Sequence, residues 1–424
     1  MYILLSLAIA LFSGLMLSRL AKKVKLPAVT AYLVAGILIG PYCLGAFGVE
    51  GLGFISMDNI KTYRLLSDTA LGFIAFSIGN EFRLSQLKKI GKQATVIGII
   101  QAVFTTLVVD AALIGLHFAI PDKLPLSAAI VLGAIASATA PAATLMVVKQ
   151  YKAKGPVTDI LLPIVALDDA VGLVLFAISF GVAKALISGE VSLISVILEP
   201  ILEVVFSLIL GAVMGFVFNY CEKFFHSRSK RLSMSVTFVF LTVALSMLKF
   251  KIGGVHIAFS SLLVCMMLGT VFCNVCDFSE ELMDRVDRWT SPLFILFFVI
   301  SGSELELSVF TDELIVLIGL VYIVSRCIGK YFGARFSSKS VNCDSNIVKY
   351  LGITLFPQAG VALGMALKAE VLGEQGVLIA NITLFSVLIY ELIGPYLTKV
   401  SLLKAGEIKP EGKTSARKAV DWKH

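Results

Sequence analysis

The chain has 424 residues, 58 % of them hydrophobic and 15 % charged, with a formal net charge of +7. A soluble domain of this length could not hide so much apolar surface, so the composition excludes a soluble enzyme and indicates a polytopic membrane protein. The positive balance then belongs to the membrane faces and not to a nucleic-acid patch.

Thirteen apolar runs approach the length needed to cross about 30 Å of hydrocarbon. They are 2–21, 27–46, 63–81, 93–119, 125–148, 156–183, 193–221, 232–248, 255–273, 291–303, 314–334, 347–367 and 375–398, the tenth being the shortest. The first lacks a basic leader and a small-residue cleavage site, and a second run follows closely, so it reads as a retained helix. The pattern predicts an all-α polytopic fold of about 13 transmembrane helices, with mostly brief loops and a basic tail. Seven cysteines are scattered through the chain, mostly in apolar runs. The tight pair Cys273-Asn-Val-Cys276 has neither a second CxxC nor a neighbouring His, which argues against zinc.

Lys and Arg set the direction of threading. The loop after the first run carries Arg19, Lys22, Lys23 and Lys25, and alternate loops after it are similarly basic. The side holding these loops and the tail has 27 of the 36 Lys and Arg, the opposite side 7, and Arg326 with Lys330 lies inside a span. The N-terminus is therefore expected outside and the C-terminus in the cytoplasm, although Lys249, Lys251 and the acidic stretch 277–287 run against the trend.

Two runs are broken in their middles. The fifth contains Ser137-Ala-Thr-Ala-Pro-Ala-Ala-Thr144, with Pro141, and the twelfth contains Phe356-Pro-Gln-Ala-Gly360, with Pro357, Gln358 and Gly360. Proline removes a backbone donor and disfavours helix just before it. One such break is an ordinary kink. Two, seven helices apart, suggest six-helix repeats inverted relative to each other, with two crossed discontinuous helices, as in secondary transporters. The expected organisation is a first repeat over 1–192, a linker helix and cytoplasmic loop over 193–231, a second, inverted repeat over 232–400 and a basic tail over 401–424.

The sixth run holds two adjacent carboxylates, Asp168 and Asp169, in Pro163-Ile-Val-Ala-Leu-Asp-Asp-Ala-Val-Gly172. They lie about 18 Å into a helix that begins near Pro156, close to the bilayer midplane. A single ionised carboxylate at that depth costs roughly 2.5–3.5 kcal/mol on insertion scales, and two repel each other. Such a pair makes sense only where a proton, a bound cation or a basic side chain compensates it. The eleventh run supplies Arg326 and Lys330, four apart and on one face. Arg326 is nearer the midplane and is the expected partner of a carboxylate; Lys330 is a second partner, or reaches toward the interface.

These residues resemble the monovalent cation–proton antiporters, in particular the bacterial sodium–proton branch with two adjacent aspartates. The resemblance spans nearly the whole chain. It rests on Leu26-Pro27 and Gly36-Ile-Leu-Ile-Gly-Pro41, on Thr139-Ala-Pro-Ala-Ala143 and Asp168-Asp169, and on Arg326, Gly329-Lys330, Pro357-Gln-Ala-Gly360 and Gly364. It implies that Asp169 carries ion and proton in turn and that Asp168 pairs with the basic residue of the eleventh helix. Thr139 and its neighbours would then lend oxygens to a transported Na⁺, and the molecule would be a homodimer in the bacterial cell membrane. It implies no cofactor; the partners are monovalent cations, protons and lipid, with no nucleic acid. Arginine in place of the lysine that some members use leaves the charge moved per cycle open.

Other polar residues carry less. Asn80 and Glu81 read as interface anchors or a cytoplasmic funnel, and Glu391 as a charge partner or an entrance group. Gln358 satisfies a helix break or touches the ion. His117, His226, His256 and His424 do not cluster. A potassium–proton antiporter of the same fold remains an alternative, as does an ion channel or a non-transporting membrane sensor, although no selectivity-filter stretch is visible.

Overall fold

A computed structural model describes residues 2–408 except 24–25, 50–52, 57–59, 61, 81, 189–192, 249, 253–254, 258, 277 and 305–306. Glu81, Lys249, Asp277 and the tail from 409 onward lie outside the described residues. In chain order the helices are α1 (Tyr2–Lys23), α2 (Ala28–Ile39), α3 (Arg64–Asn80), α4 (Leu84–Ala119), α5 (Leu126–Ile135), α6 (Pro141–Tyr151), α7 (Pro156–Ser188) and α8 (Leu193–Glu222). There follow α9 (Arg228–Ser246), α10 (Ser261–Val275), α11 (Ser279–Ser303), α12 (Glu313–Ser340), α13 (Ser345–Thr354), α14 (Gly360–Ala369) and α15 (Glu374–Lys404). The described residues are helical apart from short 3₁₀ turns, loops and one two-stranded hairpin, β1 (Phe250–Ile252) against β2 (Val255–Ile257). Seven of the helices are long and apolar enough by themselves to cross a membrane, among the described residues.

Both expected breaks are present. α5 ends at Ile135, the chain is non-helical over 136–140, and α6 restarts with Pro141 in its first turn. Proline suits that position because the first amides of a helix have no intrahelical acceptor. The second break runs over 355–359 between α13 and α14. The two breaks meet: the Ala140 amide donates to the Pro357 carbonyl at 2.8 Å. The half-helices therefore cross at their interruptions.

Several predicted boundaries shift: the fourth run is helical already from Leu84 and the second only to Ile39. The tenth run, expected over 291–303, belongs to α11, which starts at Ser279. Its charged first half is helical because its charges find partners, Arg285 with Glu281 at 3.0 Å and Asp287 with Lys149 at 2.6 Å. Hydropathy hides this part of the helix. The ninth run, expected over 255–273, begins as a helix only at Ser261, because the preceding segment forms the hairpin.

Two main apolar cores result. One joins α1–α3 to α8–α11, with Phe218 stacked on Phe272 at 4.4 Å and on Phe238 at 5.0 Å. The other joins α4, α5, α7, α12, α14 and α15 around the breaks. A third, smaller cluster packs the ends of α6, α7, α13 and α15. The last turn of α6, a helix that itself packs in the first core, is tied to that body through three consecutive side chains. Lys149 reaches Asp287 of α11 and Ser77 of α3, while Gln150 Oε1 accepts from the Ala28 amide at 2.9 Å and Tyr151 donates to the Leu26 carbonyl at 3.5 Å. Gln150 thereby serves an orphan donor at the start of α2, where Pro27 offers no side-chain cap.

Candidate ion-binding site

Three helices and one break build the site. α7 is anchored at its first turn by Glu407, whose carboxylate accepts from the Val157 amide at 2.6 Å and the Thr158 amide at 2.8 Å. A carboxylate there satisfies orphan amides and complements the helix dipole. Twelve residues further on, Asp168 and Asp169 are 0 % and 1 % exposed. α12 is capped by Asp312, whose side chain accepts from the Leu314 and Ile315 amides, and carries Arg326 and Lys330, both fully buried.

The partner of Asp168 is Lys330. Its Nζ lies 2.9 Å from Asp168 Oδ2, with neither side chain exposed. The same ammonium donates to the Ser137 carbonyl at 2.5 Å and to Gln101 Oε1 at 3.0 Å. All three of its N–H groups are thus used. Asp168 is equally complete: Oδ2 also accepts from the Thr139 hydroxyl at 2.6 Å, and Oδ1 accepts from Gln101 Nε2.

Arg326 does not pair with either aspartate, contrary to the sequence expectation. Its Nε donates to the Ala136 carbonyl at 2.9 Å, Nη2 to Ala138 at 2.7 Å and Nη1 to Phe356 at 2.7 Å. A planar guanidinium can serve several carbonyls at once, whereas a compact ammonium is better suited to a single anion. The broken helices supply those carbonyls, and Arg326 closes both breaks together. It also lies over the Tyr390 ring at 4.5 Å, and that phenol donates to the Ile323 carbonyl at 2.8 Å. Gln358 shares the task, donating to the Ile135 carbonyl and to Tyr322 Oη, each at 2.9 Å.

Asp169 stands apart. Neither of its buried oxygens meets a hydrogen-bond donor among the described residues. Leaving such a group unsatisfied is costly, and a carboxylate more so than a neutral group. A proton or a cation removes that cost, and hard carboxylate and carbonyl oxygens suit an alkali ion. Gln358 Oε1 is a second buried oxygen without a partner at the break. Of the sequence-predicted residues, Thr139, Asp168 and Lys330 are joined directly, Arg326 and Gln358 bind the two breaks that Pro141, Pro357 and Gly360 border, and Asp169 follows Asp168 in α7 without a donor among the described residues.

Sequence reasoning passed over two residues of α4. Gln101 is fully buried and bridges Asp168 and Lys330. Asp110 lies nine residues further along, about 14 Å up the helix. Its Oδ1 has no donor among the described residues and sits where a Cβ at Gly133 would otherwise fall. The available signal was an amide and a carboxylate inside an apolar run, which in a membrane marks function by default.

A profile of the transmembrane sodium/hydrogen exchanger family matches residues 7–402. The chain belongs to that family. As an exchanger-family chain it is 28 % identical over 401 residues to a Na⁺/H⁺ antiporter of Enterococcus hirae, covering 90 % of this chain and 94 % of that one. A K⁺/H⁺ antiporter subunit of Bacillus subtilis is 24 % identical, covering 93 % and 94 %. Two structures of the sodium proton antiporter of Methanocaldococcus jannaschii share the fold. One has a TM-score of 0.73 at 18 % identity, covering 96 % of this chain and 98 % of that one. The other has a TM-score of 0.63 at 20 % identity, covering 96 % and 97 %.

Proposed function

We propose that the protein is a secondary active antiporter that exchanges Na⁺ or Li⁺ for H⁺ by alternating access, with Asp169 carrying proton and cation in turn. The single observation behind this is the asymmetry of the pair: Asp168 is saturated by Lys330, Thr139 and Gln101, and Asp169 is bare. A group that must hold either of two ions cannot be committed to a protein donor. Thr139 and Asp168 are the neighbouring oxygens offered to the cation. Support comes also from the Enterococcus hirae relative.

The finer architecture belongs to the same proposal. Thirteen membrane crossings would form two inverted six-helix repeats, 1–192 and 232–400, joined by 193–231 and followed by the tail 401–424. The N-terminus would lie outside, and the molecule would sit as a homodimer in the bacterial cell membrane. Two broken helices that meet at their interruptions support the repeats, and the skew of Lys and Arg supports the direction. Because Lys330 rather than Arg326 holds Asp168, the partner can itself release a proton. We therefore favour two protons per cation and a voltage-driven cycle.

Everted vesicles holding a pH gradient test the function. Na⁺ and Li⁺ are expected to collapse the gradient in vesicles containing the protein and not in those containing Asp169→Asn. Collapse by K⁺ alone would favour the second possibility, a K⁺/H⁺ antiporter, which the Bacillus subtilis relative supports. Cation flux that never moves protons would overturn antiport and point to a channel.

A further inference from the structure

Gln101 lies on α4, a helix that carries neither the aspartates nor the lysine, yet its amide touches both charged partners. We infer that Gln101 is a positioning residue that holds Lys330 while leaving it free to give up its proton. The inference rests on the antiport proposed above.

Only one orientation of the amide fits the site. Nε2 must face the carboxylate, Asp168 Oδ1, and Oε1 must face the ammonium of Lys330, as the structure places them. Nε2 also donates to the Gly98 carbonyl of its own helix at 3.1 Å, which fixes the amide plane. The backbones of α4 and α12 approach closely to allow this contact. Gly329 and Gly333 flank Lys330, and a Cβ at either would crowd Thr105 Cα or Gln101 Cα. A glutamine of ordinary length therefore spans a distance that larger residues on α12 would open.

The neutrality of the amide is the functional point. When Asp168 turns toward a cation, Lys330 loses its counter-charge but keeps two neutral acceptors, Gln101 Oε1 and the Ser137 carbonyl. These hold the amine in place and supply no anion to keep it protonated. A buried lysine without a counter-charge sheds its proton readily. A carboxylate at position 101 would replace that missing charge at hydrogen-bond distance and keep Lys330 cationic throughout the cycle.

Gln101→Glu in liposomes under a clamped potassium–valinomycin potential tests this. Wild-type Na⁺/H⁺ exchange is expected to run faster at about −100 mV inside than at zero. The variant is expected to exchange at one rate at both potentials. A variant whose voltage response matches wild type would overturn the inference. Wild-type protein that does not exchange would instead sink the antiport proposal. A double-mutant cycle on thermal stability needs no transport and decides the matter if Gln101→Glu fails to fold. The Tm loss from Gln101→Met is expected to shrink in a Lys330→Met background, since one of the three partners of the amide is already gone. Strictly additive losses would show that Gln101 does not hold Lys330.

Discussion

Replacing Arg326 with leucine separates its role at the breaks from that of a charge partner. The guanidinium satisfies the carbonyls of Ala136, Ala138 and Phe356 in a fully buried site. Each buried carbonyl left unpaired costs about 1–3 kcal/mol, so three cost roughly 3–9 kcal/mol before relaxation. Lost stacking on Tyr390 adds roughly 1 kcal/mol. Lysine at 326 keeps the charge but cannot span three carbonyls, and should recover only part of the loss. Reversible unfolding in mixed micelles, followed across pH, is the assay. A carbonyl has no protonation escape, so the Arg326→Leu deficit should persist in acid. Lys330→Leu differs: it strands a carboxylate that can take up a proton, so its deficit should shrink as pH falls. Arg326→Leu within about 1 kcal/mol of wild type, or with a deficit that vanishes in acid, would refute the assignment.

Asp169→Asn should abolish exchange of every cation while insertion stays normal; vesicles that still collapse a pH gradient on adding Na⁺ would contradict it. Glu407→Ala should cost about 1–2 kcal/mol, because it uncaps the first turn of α7; an unchanged melting curve would show the cap to be idle. Asp287→Asn should cost no more than about 1 kcal/mol, since Lys149 and Asp287 side chains are 25 % and 32 % exposed, and a loss above about 3 kcal/mol would mean that the link from α6 is structural. In a cysteine-free background, Asp122→Cys should label from outside and Lys152→Cys from the cytoplasm. Labelling of both from one side would break the proposed threading.

The parts of the fold legible in sequence are those that rest on strong local chemistry. Pro141 and Pro357 each sit in a short polar, small-residue stretch in mid-span, and both breaks lie where they were expected, whereas Pro163, Pro292 and Pro395 are carried inside continuous helices. Asp168 and Asp169 were conspicuous because carboxylates are scarce in apolar runs. The pairing of cations was not legible. Arg326 and Lys330 share one face of α12, and which meets Asp168 depends on where α5–α6 and α13–α14 cross, a tertiary fact. Gln101 escaped because a neutral amide barely disturbs hydropathy and its bridging needs two other helices. The start of α11 was hidden for the opposite reason: its charges look like a loop until Asp287 finds Lys149 on a distant helix.

The two aspartates answer different physical demands, and helix geometry lets neighbours do so. Adjacent residues on a helix point about 100° apart. Asp168 can therefore face α4 and α12 while Asp169 faces elsewhere. The ion pair of Asp168 with Lys330 neutralises one charge inside the protein, so that the site does not carry two uncompensated anions into hydrocarbon. Under the proposed exchange, a cation arriving at Asp169 would meet one bare carboxylate and a second whose counter-charge it could replace. Taking up the second exchanges one cation for another at Asp168, so the gain in electrostatic energy is a difference between two similar terms and not a full buried ion pair. Binding would then remain modest, as release on the far side requires. A lone aspartate would bind with nothing to displace, and two bare ones would either reject folding or hold the cation too long. Held by Gln101 and Ser137, the lysine would keep the cation site of the proposed antiport reversible.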